Sequence, residues 1–292
     1  MTPATLKAVL WMCGGLVCFS LLAIASRELT AGLSAVNIMF WRSLIGLAII
    51  CAVLAVRRQA IRTNQLRWHL LRNSAHFAGQ CAWLFAIAAI PLAEVFALEF
   101  TTPLWAAIFA SIFLAERLSP SRLLAAACGL VGVLVMLRPG AAAIHPASIV
   151  MLAGAVGFGI TIVTTRHLGK TDRPIVVLFY MTLMQSCFAL ILSINHWVWP
   201  QDTQWLWLLA AGLTALAAHY CLTKALSLAD AAVVIPVDYL RLPLIALLGW
   251  IIYDEALSWP IAFGAIFIIG GNALGLYGEH RRTRTKIRIN GA

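Results

Sequence analysis

Long apolar runs separated by short polar connectors recur along nearly the whole chain. A helix that crosses a bilayer needs about 20 consecutive apolar residues, and most of these runs are about that long. Two runs, 73–115 and 204–253, are about twice as long as one crossing requires, and Pro91 and Asp230 offer the points at which they divide. The pattern predicts ten spans, near residues 8–26, 33–56, 73–90, 92–115, 120–137, 147–165, 174–194, 204–226, 231–253 and 259–277.

The composition excludes a water-soluble globular protein. Hydrophobic residues make up 62% of the chain and charged residues 11%, whereas soluble domains carry about 25% charged residues. We therefore expect an all-α integral membrane protein whose outer surface contacts lipid. The seven cysteines lie inside apolar runs without the Cys-Xaa-Xaa-Cys spacing of zinc or redox sites, so neither a metal nor a cofactor is expected.

Basic residues are concentrated in alternate connectors. With the N-terminus in the cytoplasm, ten spans place sixteen of the 21 lysines and arginines on the cytoplasmic side and only Arg27 and Arg138 on the other. Cytoplasmic connectors of membrane proteins carry such an excess. We expect an inner-membrane protein of bacterial type with both termini in the cytoplasm. The net charge of +10 comes from these connectors and a basic tail, so no nucleic-acid partner is expected.

The two halves of the chain resemble each other at a constant offset. Arg27 and Arg166 lie 139 residues apart, and identical residues recur at this offset along both halves. Informative matches are Phe19 with Phe158, Phe40 with Phe179, Trp68 with Trp207 and Glu116 with Glu255. Each half has five predicted spans, an odd number, so the second half enters the membrane inverted, as in many transporters. We predict a first repeat at 1–140, a second at 141–280 and a basic cytoplasmic tail at 281–292.

Two motifs occur once in each half. Pro103 precedes Glu116-Arg117-Leu118-Ser119, and Pro243 precedes Glu255-Ala256-Leu257-Ser258. In addition, Phe40-Trp41-Arg42 lies in the second span and Leu137-Arg138-Pro139-Gly140 closes the first half. With these motifs the chain resembles, over about residues 6–278, the EamA family of the drug/metabolite transporter superfamily. The resemblance implies a ten-helix bundle with a central cavity that moves small metabolites without ATP. Known family members include exporters of amino acids.

Charged residues inside predicted spans are the first candidates for a functional site. A charge at the bilayer centre costs about 2.5–3.5 kcal/mol on insertion scales, so these side chains should face the interior. In one interpretation, Asp238 pairs with Arg241 and Arg42 with Glu99, and the charges serve only the fold. In the other, a carboxylate meets a substrate amine or a proton while an arginine meets a substrate carboxylate. The five residues are Arg42, Glu99, Lys224, Asp238 and Arg241.

Polar and aromatic residues in the spans extend the set of cavity candidates. His76 and Gln80 share one face of the third span, and His219 is the repeat partner of Gln80. Packing inside the bundle is the alternative interpretation for each of them. The candidates of this group are Trp41, His76, Gln80, Tyr180, His219 and Tyr239.

Prolines and glycines in mid-span predict bending and close packing. Pro103 and Pro243 each remove a backbone donor, and we expect them to act as hinges. Gly271 and Gly275 form a close-packing motif for a contact either within the bundle or in a dimer. We expect a monomer or a weak homodimer.

These features together predict a secondary active transporter that works by alternating access. The first hypothesis is an exporter of amino acids or related metabolites, so the expected partners are a small-molecule substrate and membrane lipid. The alternatives are an uptake carrier for a nucleotide-like metabolite and an efflux carrier for organic cations. An enzyme is not expected, because no nucleophile lies with a base. Thr164 stands where the phosphate loop of an ATPase needs its first glycine before Gly169-Lys170-Thr171.

Overall fold

The computed structural model describes residues 3–114, 120–138, 144–228, 234, 237–256 and 258–290. The Glu-Xaa-Leu-Ser motif of the first half and the predicted break at Asp230 lie outside these residues. The described part contains α-helices, one short 3₁₀ turn and no β-strand, so the predicted all-α architecture is confirmed for it. The helices are α1 Pro3–Thr30, α2 Ala35–Arg57, α3 Leu66–Ala89, α4 Leu92–Glu99, α5 Thr102–Leu114, α6 Pro120–Leu137, α7 Pro146–Leu168, α8 Pro174–Ser193, α9 Gln204–Leu228, α10 Arg241–Tyr253 and α11 Trp259–Asn290.

Several helix boundaries follow from their capping residues. Ser34 precedes α2 in an extended conformation, and its hydroxyl accepts a hydrogen bond from the backbone N–H of Asn37 at 3.3 Å. Pro146 and Pro174 occupy the first turns of α7 and α8. A proline costs little there because the first N–H groups of a helix have no partner within it.

The predicted span at 92–115 consists of two helices, α4 and α5, separated at Phe100 and Thr101. Pro103 has no N–H to donate, and the backbone N–H of Leu104 bonds the Thr101 carbonyl at 3.0 Å. The Phe100 carbonyl is left outside the helical pattern. It accepts a hydrogen bond from Asn272 Nδ2 of α11 at 2.8 Å, which satisfies it inside the bundle.

Pro243 also lies in the first turn of its helix, α10, one residue further from the start than Pro103 is in α5. It is the third residue of that helix, which begins at Arg241, and Tyr239 and Leu240 form a turn just before it. Both prolines therefore follow a break in a helix, and the two breaks occupy equivalent places in the two halves. Discontinuous helices of this kind line the substrate sites of many secondary transporters.

The helix contacts are related by the repeat. The offset of 139 residues equates α1 with α7 and α3 with α9. Helix α1 packs along α9, and its counterpart α7 packs along α3. The pairs α2–α8 and α6–α11 each join one helix to its own repeat partner. Each contact between the halves is thus repeated with the two halves interchanged, as a pseudo-twofold axis between them requires.

Two glycines of α11 permit its close approach to α6. A Cβ atom at Gly275 would lie 2.8 Å from the Cβ of Ala125, and one at Gly271 would overlap the Cβ of Cys128. No side chain fits in either place without moving a backbone. The glycine motif is therefore used inside the chain, which favours the intramolecular alternative over a dimer contact.

Within the described ranges, six helices are long and apolar enough to cross a membrane by length and composition: α1, α2, the segment Leu92–Phe113, α7, α8 with its 3₁₀ turn, and α9. Parts of α6, α10 and α11 form shorter apolar helices. Large apolar side chains such as Leu206, Ile251 and Trp259 are exposed, as on a lipid-facing surface. The chain is an integral membrane protein, and the count of ten spans stays a prediction. Helix α11 continues to Asn290, through most of the predicted tail.

Candidate functional site

A cavity of about 310 Å³ lies between the two halves of the bundle. Its walls come from α1, α2, α3, α7, α8 and α9 and from the two helix breaks, at Glu99–Pro103 and at Asp238–Arg241. Ligand pockets have volumes of about 300–1,000 Å³, so the space suits a small metabolite. Eight of the ten predicted substrate-binding residues line it, together with Pro103: Arg42, His76, Gln80, Glu99, His219, Asp238, Tyr239 and Arg241.

Arg241 lies between two carboxylates at one side of the cavity. Its Nη2 is 3.1 Å from Glu99 Oε1 and 3.2 Å from Asp238 Oδ2. The indole Nε1 of Trp83 donates to Glu99 Oε2 at 2.9 Å. We call Arg241, Glu99 and Asp238 the Arg241 centre. The predicted pair of Asp238 with Arg241 is formed, whereas Glu99 pairs with Arg241 and not with Arg42.

Aromatic rings surround the guanidinium group of the Arg241 centre. Its carbon lies 4.8 Å from the ring centroid of Phe19, 5.0 Å from that of Phe96 and 5.2 Å from that of Phe100. A guanidinium within about 6 Å of a ring face is attracted by the ring's electron density. These contacts and the two carboxylates together hold Arg241 at the start of α10.

Arg42 forms the second cationic group of the cavity and has a different environment. It is buried, and its Nη2 donates to Gln80 Oε1 at 3.0 Å and contacts the sulfur of Met39. Among the described residues, no carboxylate pairs with Arg42 and no acceptor bonds its Nη1. A buried cation normally has an anionic partner, so a guanidinium without one on the wall of a cavity is unusual.

A row of four rings connects the Arg42 side of the cavity with the Arg241 centre. His76 lies 5.9 Å from Phe158 and 5.8 Å from His219, and His219 lies 5.6 Å from Phe19, all between ring centroids. Phe19 is also one of the rings beneath Arg241. We call Phe158, His76, His219 and Phe19 the aromatic row. Gln185 bonds His76 at 2.5 Å and fixes the orientation of that ring.

Five buried polar atoms of residues that line the cavity have no hydrogen-bond partner among the described residues. They are Arg42 Nη1, Thr102 Oγ1, Asp238 Oδ1, Tyr239 Oη and Arg241 Nε. A buried polar group without a partner costs about 1–3 kcal/mol, and native proteins contain few of them. Donors and acceptors with unused hydrogen-bonding capacity are therefore concentrated on residues that line one cavity.

Several predicted residues lie outside the cavity. Trp41 packs against a group of tryptophans, with its ring centroid 5.3 Å from that of Trp197, and its Nε1 donates to the Val198 carbonyl at 3.4 Å. Tyr180 packs on His69, with ring centroids 4.5 Å apart. Pro243 follows the helix break without reaching the cavity wall. Lys224 was expected to face the interior and instead lies exposed near the end of α9, over the ring of Tyr220. A long basic side chain near a helix end reaches toward the interface in this way.

The structure adds cavity residues that the sequence interpretation did not single out. Ser43, Thr182 and Gln185 line the wall, and the Ser43 hydroxyl donates to Gln185 Oε1 at 3.4 Å. Thr182 is the repeat partner of Ser43, and Gln185 is that of Gly46, which also lines the cavity. The repeat offset, applied to the second span, was the signal that could have found them.

A polar cluster ties the halves together at one end of the bundle. Asp172 Oδ2 lies 2.7 Å from His69 Nε2 and accepts a hydrogen bond from the Thr63 hydroxyl at 2.6 Å. Burial acts to raise the pKa of the Asp172 carboxyl, but the hydrogen bonds from Thr63 and His69 outweigh it and hold that pKa below its usual value. We call these three residues the Asp172 cluster. Nearby, buried Arg72 donates to Thr165 at 2.8 Å, although the sequence had placed it in an exposed connector.

A second cluster joins the halves through other connectors. Glu255 Oε1 lies 3.3 Å from Arg27 Nη2, and Glu255 Oε2 accepts the backbone N–H of Leu92 at 2.7 Å. Burial raises the pKa of the Glu255 carboxyl, while the Leu92 N–H and Arg27 act in the opposite direction. Arg27 also donates to the backbone carbonyls of Ile87 and Ile90. We call Glu255, Arg27 and Leu92 the Glu255 cluster.

Comparison with known proteins places this architecture in a family. A riboflavin transporter of Vibrio cholerae is 29% identical over 290 residues, with 97% of each chain covered. A riboflavin transporter of Rhizobium johnstonii is 32% identical, with 94% of this chain and 92% of that protein covered. An S-adenosylmethionine uptake transporter of Rickettsia prowazekii is 23% identical, with 96% of both covered.

The same architecture occurs among solved structures. One crystal structure superposes with a TM-score of 0.67 at 23% identity, and the match covers 94% of this chain and 98% of that one. The family model of the EamA-like transporter family matches twice, at residues 6–138 and 145–277. The resemblance drawn from the motifs is thereby confirmed, and the chain belongs to the EamA-like transporter family.

Proposed function

We propose that this protein is a secondary carrier for a flavin-type metabolite, a planar heteroaromatic ring with a polyhydroxyl tail, which binds in the central cavity. The observation that carries this proposal is the set of five unpartnered buried polar atoms on residues of the wall beside the aromatic row. Rings offer a surface for a planar ligand, and unpartnered donors and acceptors give it specific hydrogen bonds. Two relatives at 29% and 32% identity are named riboflavin transporters, which supports this substrate class.

The chemistry of a flavin matches the wall in both of its parts. The ring carries carbonyl oxygens that accept hydrogen bonds, and Arg42 Nη1 is a buried donor without a partner among the described residues. The tail carries hydroxyl groups, and Asp238 Oδ1 and Thr102 Oγ1 are available to them. A site that binds a hydroxyl in this way rejects analogues that lack it, because its own buried groups then stay unpaired.

Export of amino acids, the first hypothesis from the sequence, is the second candidate. Arg42 has no anionic partner among the described residues, whereas the Arg241 centre holds two carboxylates around one guanidinium. A zwitterion fits such a distribution of charge, with its carboxylate at Arg42 and its amine at Asp238 or Glu99. Efflux of an organic cation is less well supported, because Arg241 already occupies both carboxylates.

Alternating access between inverted repeats is part of the proposal. Ten spans with both termini in the cytoplasm would place the Asp172 cluster at the cytoplasmic end and the Glu255 cluster at the outer end. Each cluster joins one repeat to the other, so each can hold one end closed while the other opens. The breaks before Pro103 and Pro243 supply bending points at equivalent places, beside the cavity.

Transport into liposomes tests the proposal directly. The purified protein is reconstituted, and uptake of labelled riboflavin is compared with uptake of a panel of labelled amino acids. We expect saturable riboflavin flux, and we expect Asp238→Asn to reduce it at least about tenfold, since a hydrogen bond to a charged group contributes about 1.5–3 kcal/mol. Asp202→Asn, in an exposed turn, is the matched control and should transport normally. Saturable amino-acid flux without riboflavin flux would replace the first candidate with the second.

A further inference from the structure

We infer that the cavity binds its substrate in a single orientation, with the carbonyl edge of the ring at Arg42 and the polyhydroxyl tail at the Arg241 centre, and that this orientation excludes a substrate whose tail is phosphorylated. The inference rests on the proposed function, because it assigns the parts of a flavin to parts of the same cavity. It makes Arg42 a residue that recognises the ring and Asp238 one that selects the tail.

The Arg42 side of the cavity presents a donor without an anion. Gln80 Oε1 holds Nη2 of this guanidinium at 3.0 Å, and Nη1 has no partner in the described part of the chain. A carbonyl oxygen of the ligand can take that N–H. A ligand hydroxyl also has two lone pairs, but its own hydrogen needs an acceptor, and Arg42 cannot supply one because a guanidinium only donates.

The aromatic row lies between the two polar sides. Gln80, which holds Arg42, and Trp83, which holds Glu99, are three residues apart on α3, or about 4.5 Å along the helix axis. The row runs from His76, on the same helix, through His219 to Phe19 beneath Arg241. Neighbouring rings of the row are turned by 53° to 83° relative to one another, so a flat ligand contacts faces of some and edges of others. In the inferred orientation it has one edge at Arg42 and its substituent at the Arg241 centre.

The Arg241 centre suits hydroxyl groups and repels anions. Two carboxylates share one guanidinium, so the formal charge of the centre is negative when both are ionised. Asp238 Oδ1 lacks a partner among the described residues and can accept a hydrogen bond from a tail hydroxyl. A phosphate in that place would face Glu99 and Asp238, and the attraction of Arg241 is already divided between them. Repulsion between these carboxylates and a ligand phosphate discriminates strongly against the phosphorylated ligand.

The repeat explains why only one orientation is available. The carboxylates Glu99 and Asp238 are repeat partners, so a symmetric cavity would bind a ligand equally well in two opposed directions. The basic residues break this symmetry. The residue equivalent to Arg42 is Met181, and the residue equivalent to Arg241 is Thr102, and both of these line the cavity. Arg42 and Arg241 therefore make the two directions across the cavity different, although the pseudo-twofold axis relates the two carboxylates.

Binding of three ligands to the purified protein tests the orientation. The probes are riboflavin, lumiflavin, which has the ring without the polyhydroxyl tail, and riboflavin phosphate, and quenching of flavin fluorescence gives each dissociation constant. For the unaltered protein we expect riboflavin to bind at least about tenfold more tightly than riboflavin phosphate. Equal or tighter binding of the phosphate would overturn the inference without any variant.

Two variants then assign the parts of the ligand. Arg42→Gln should weaken riboflavin and lumiflavin by the same factor, about tenfold, because both carry the carbonyl edge. Asp238→Asn should leave the affinity for lumiflavin unchanged and weaken the binding of riboflavin. The difference in affinity between riboflavin and riboflavin phosphate should therefore become smaller. The controls are Arg57→Gln, exposed at the end of the same helix α2, and Asp202→Asn. A cooperative thermal transition that begins well above the temperature of the binding assay shows that each variant is folded, even where its melting temperature is below that of the controls.

The outcomes separate the inference from the proposed function. If riboflavin binds and Asp238→Asn weakens lumiflavin as much as riboflavin, or Arg42→Gln affects riboflavin alone, the orientation is wrong and the function stands. If the unaltered protein binds none of the three flavins, the proposed function fails and the inference fails with it.

Discussion

Glu99 and Asp238 occupy equivalent positions in the two repeats, yet both bond the same nitrogen of Arg241, at 3.1 and 3.2 Å. Two carboxylates that the repeat brings to one cavity would repel each other in a medium of low dielectric constant. Arg241, which has no basic counterpart in the first repeat, makes their proximity tolerable. The Arg241 centre therefore has two roles: it offsets the repulsion between two carboxylates of the fold, and it forms part of the cavity wall.

Removal of Arg241 should destabilise the protein more than removal of either carboxylate charge. Arg241→Gln leaves the partly buried carboxylates of Glu99 and Asp238 without their cation, and loss of one partner of a fully buried ion pair costs about 3–5 kcal/mol. Glu99→Gln and Asp238→Asn each leave the guanidinium one carboxylate and should cost less. The measurement is the melting temperature in detergent. Combining Arg241→Gln with both carboxylate substitutions should recover part of the loss, and a triple variant as unstable as Arg241→Gln alone would contradict the electrostatic explanation.

The hydrogen bond from Asn272 to the Phe100 carbonyl should stabilise the break between α4 and α5. Asn272→Leu keeps the size of the side chain and removes the donor, which leaves a buried carbonyl unpaired at a cost of about 1–3 kcal/mol. Chemical or thermal unfolding in detergent measures the change. Leu274→Ala, two residues away and exposed, should cost less than about 0.5 kcal/mol. If both substitutions lower the free energy of unfolding equally, Asn272 does not stabilise the break through its hydrogen bond.

The contact of α11 with α6 predicts a difference between neighbouring glycines. Gly275→Val adds a branched side chain where Ala125 lies 2.8 Å from a Cβ, and overpacking of this kind costs about 1–3 kcal/mol. A Cβ at Gly270 would meet no atom within 4 Å, so Gly270→Val should leave the stability nearly unchanged. Melting temperatures of the two variants give the comparison. A dimer contact at Gly275 would instead change the oligomeric state in size-exclusion chromatography.

Much of the cavity could be predicted from the sequence because charges and histidines in apolar spans have few places to go. Arg42, Glu99 and His76 had to face the interior, and they do. Aromatic residues carry no such constraint, since a ring packs equally well at a helix end. Trp41, among other tryptophans, therefore lies away from the cavity although its neighbour Arg42 lines it.

The partners of the charges were harder to predict than their location. One of the two interpretations paired Arg42 with Glu99, but the side chain that Arg42 reaches is Gln80 on α3. Pairing depends on which faces of two helices meet, and the pattern of apolar residues does not specify this when the helices are apolar on all sides. Arg72 was misplaced for a related reason, because α3 begins at Leu66 and carries it into the bundle.

The Asp172 cluster predicts a pH dependence at the acidic end of the range. The pKa of the Asp172 carboxyl is held below its usual value in the folded protein, so its contribution to stability is complete above the unfolded pKa of about 3.9. That contribution is lost as the pH falls through the folded pKa. Between pH 7 and 5 the difference in melting temperature between the unaltered protein and Asp172→Asn should stay constant. Below about pH 4 it should shrink. If the difference in melting temperature shrinks between pH 7 and 5 instead, the pH dependence belongs to a group other than Asp172. Asp202→Asn controls for unrelated effects of acid.

The two clusters at the ends of the bundle should control access to the cavity from opposite sides of the membrane. Ser43 lines the cavity, so a cysteine introduced as Ser43→Cys, with the seven natural cysteines replaced, reports access through its reaction with a charged thiol reagent. Glu255→Gln weakens the attachment of Arg27 and Leu92 and should speed labelling from the outer side. Asp172→Asn replaces the carboxylate that bonds Thr63 and His69 with a neutral amide, which weakens both contacts, and should speed labelling from the cytoplasmic side. Each substitution favours one open state at the expense of the other, because a carrier that opened at both ends would be a channel. The substitution that speeds labelling from one side should therefore slow it from the other, and acceleration from both sides by either variant would argue against alternating access.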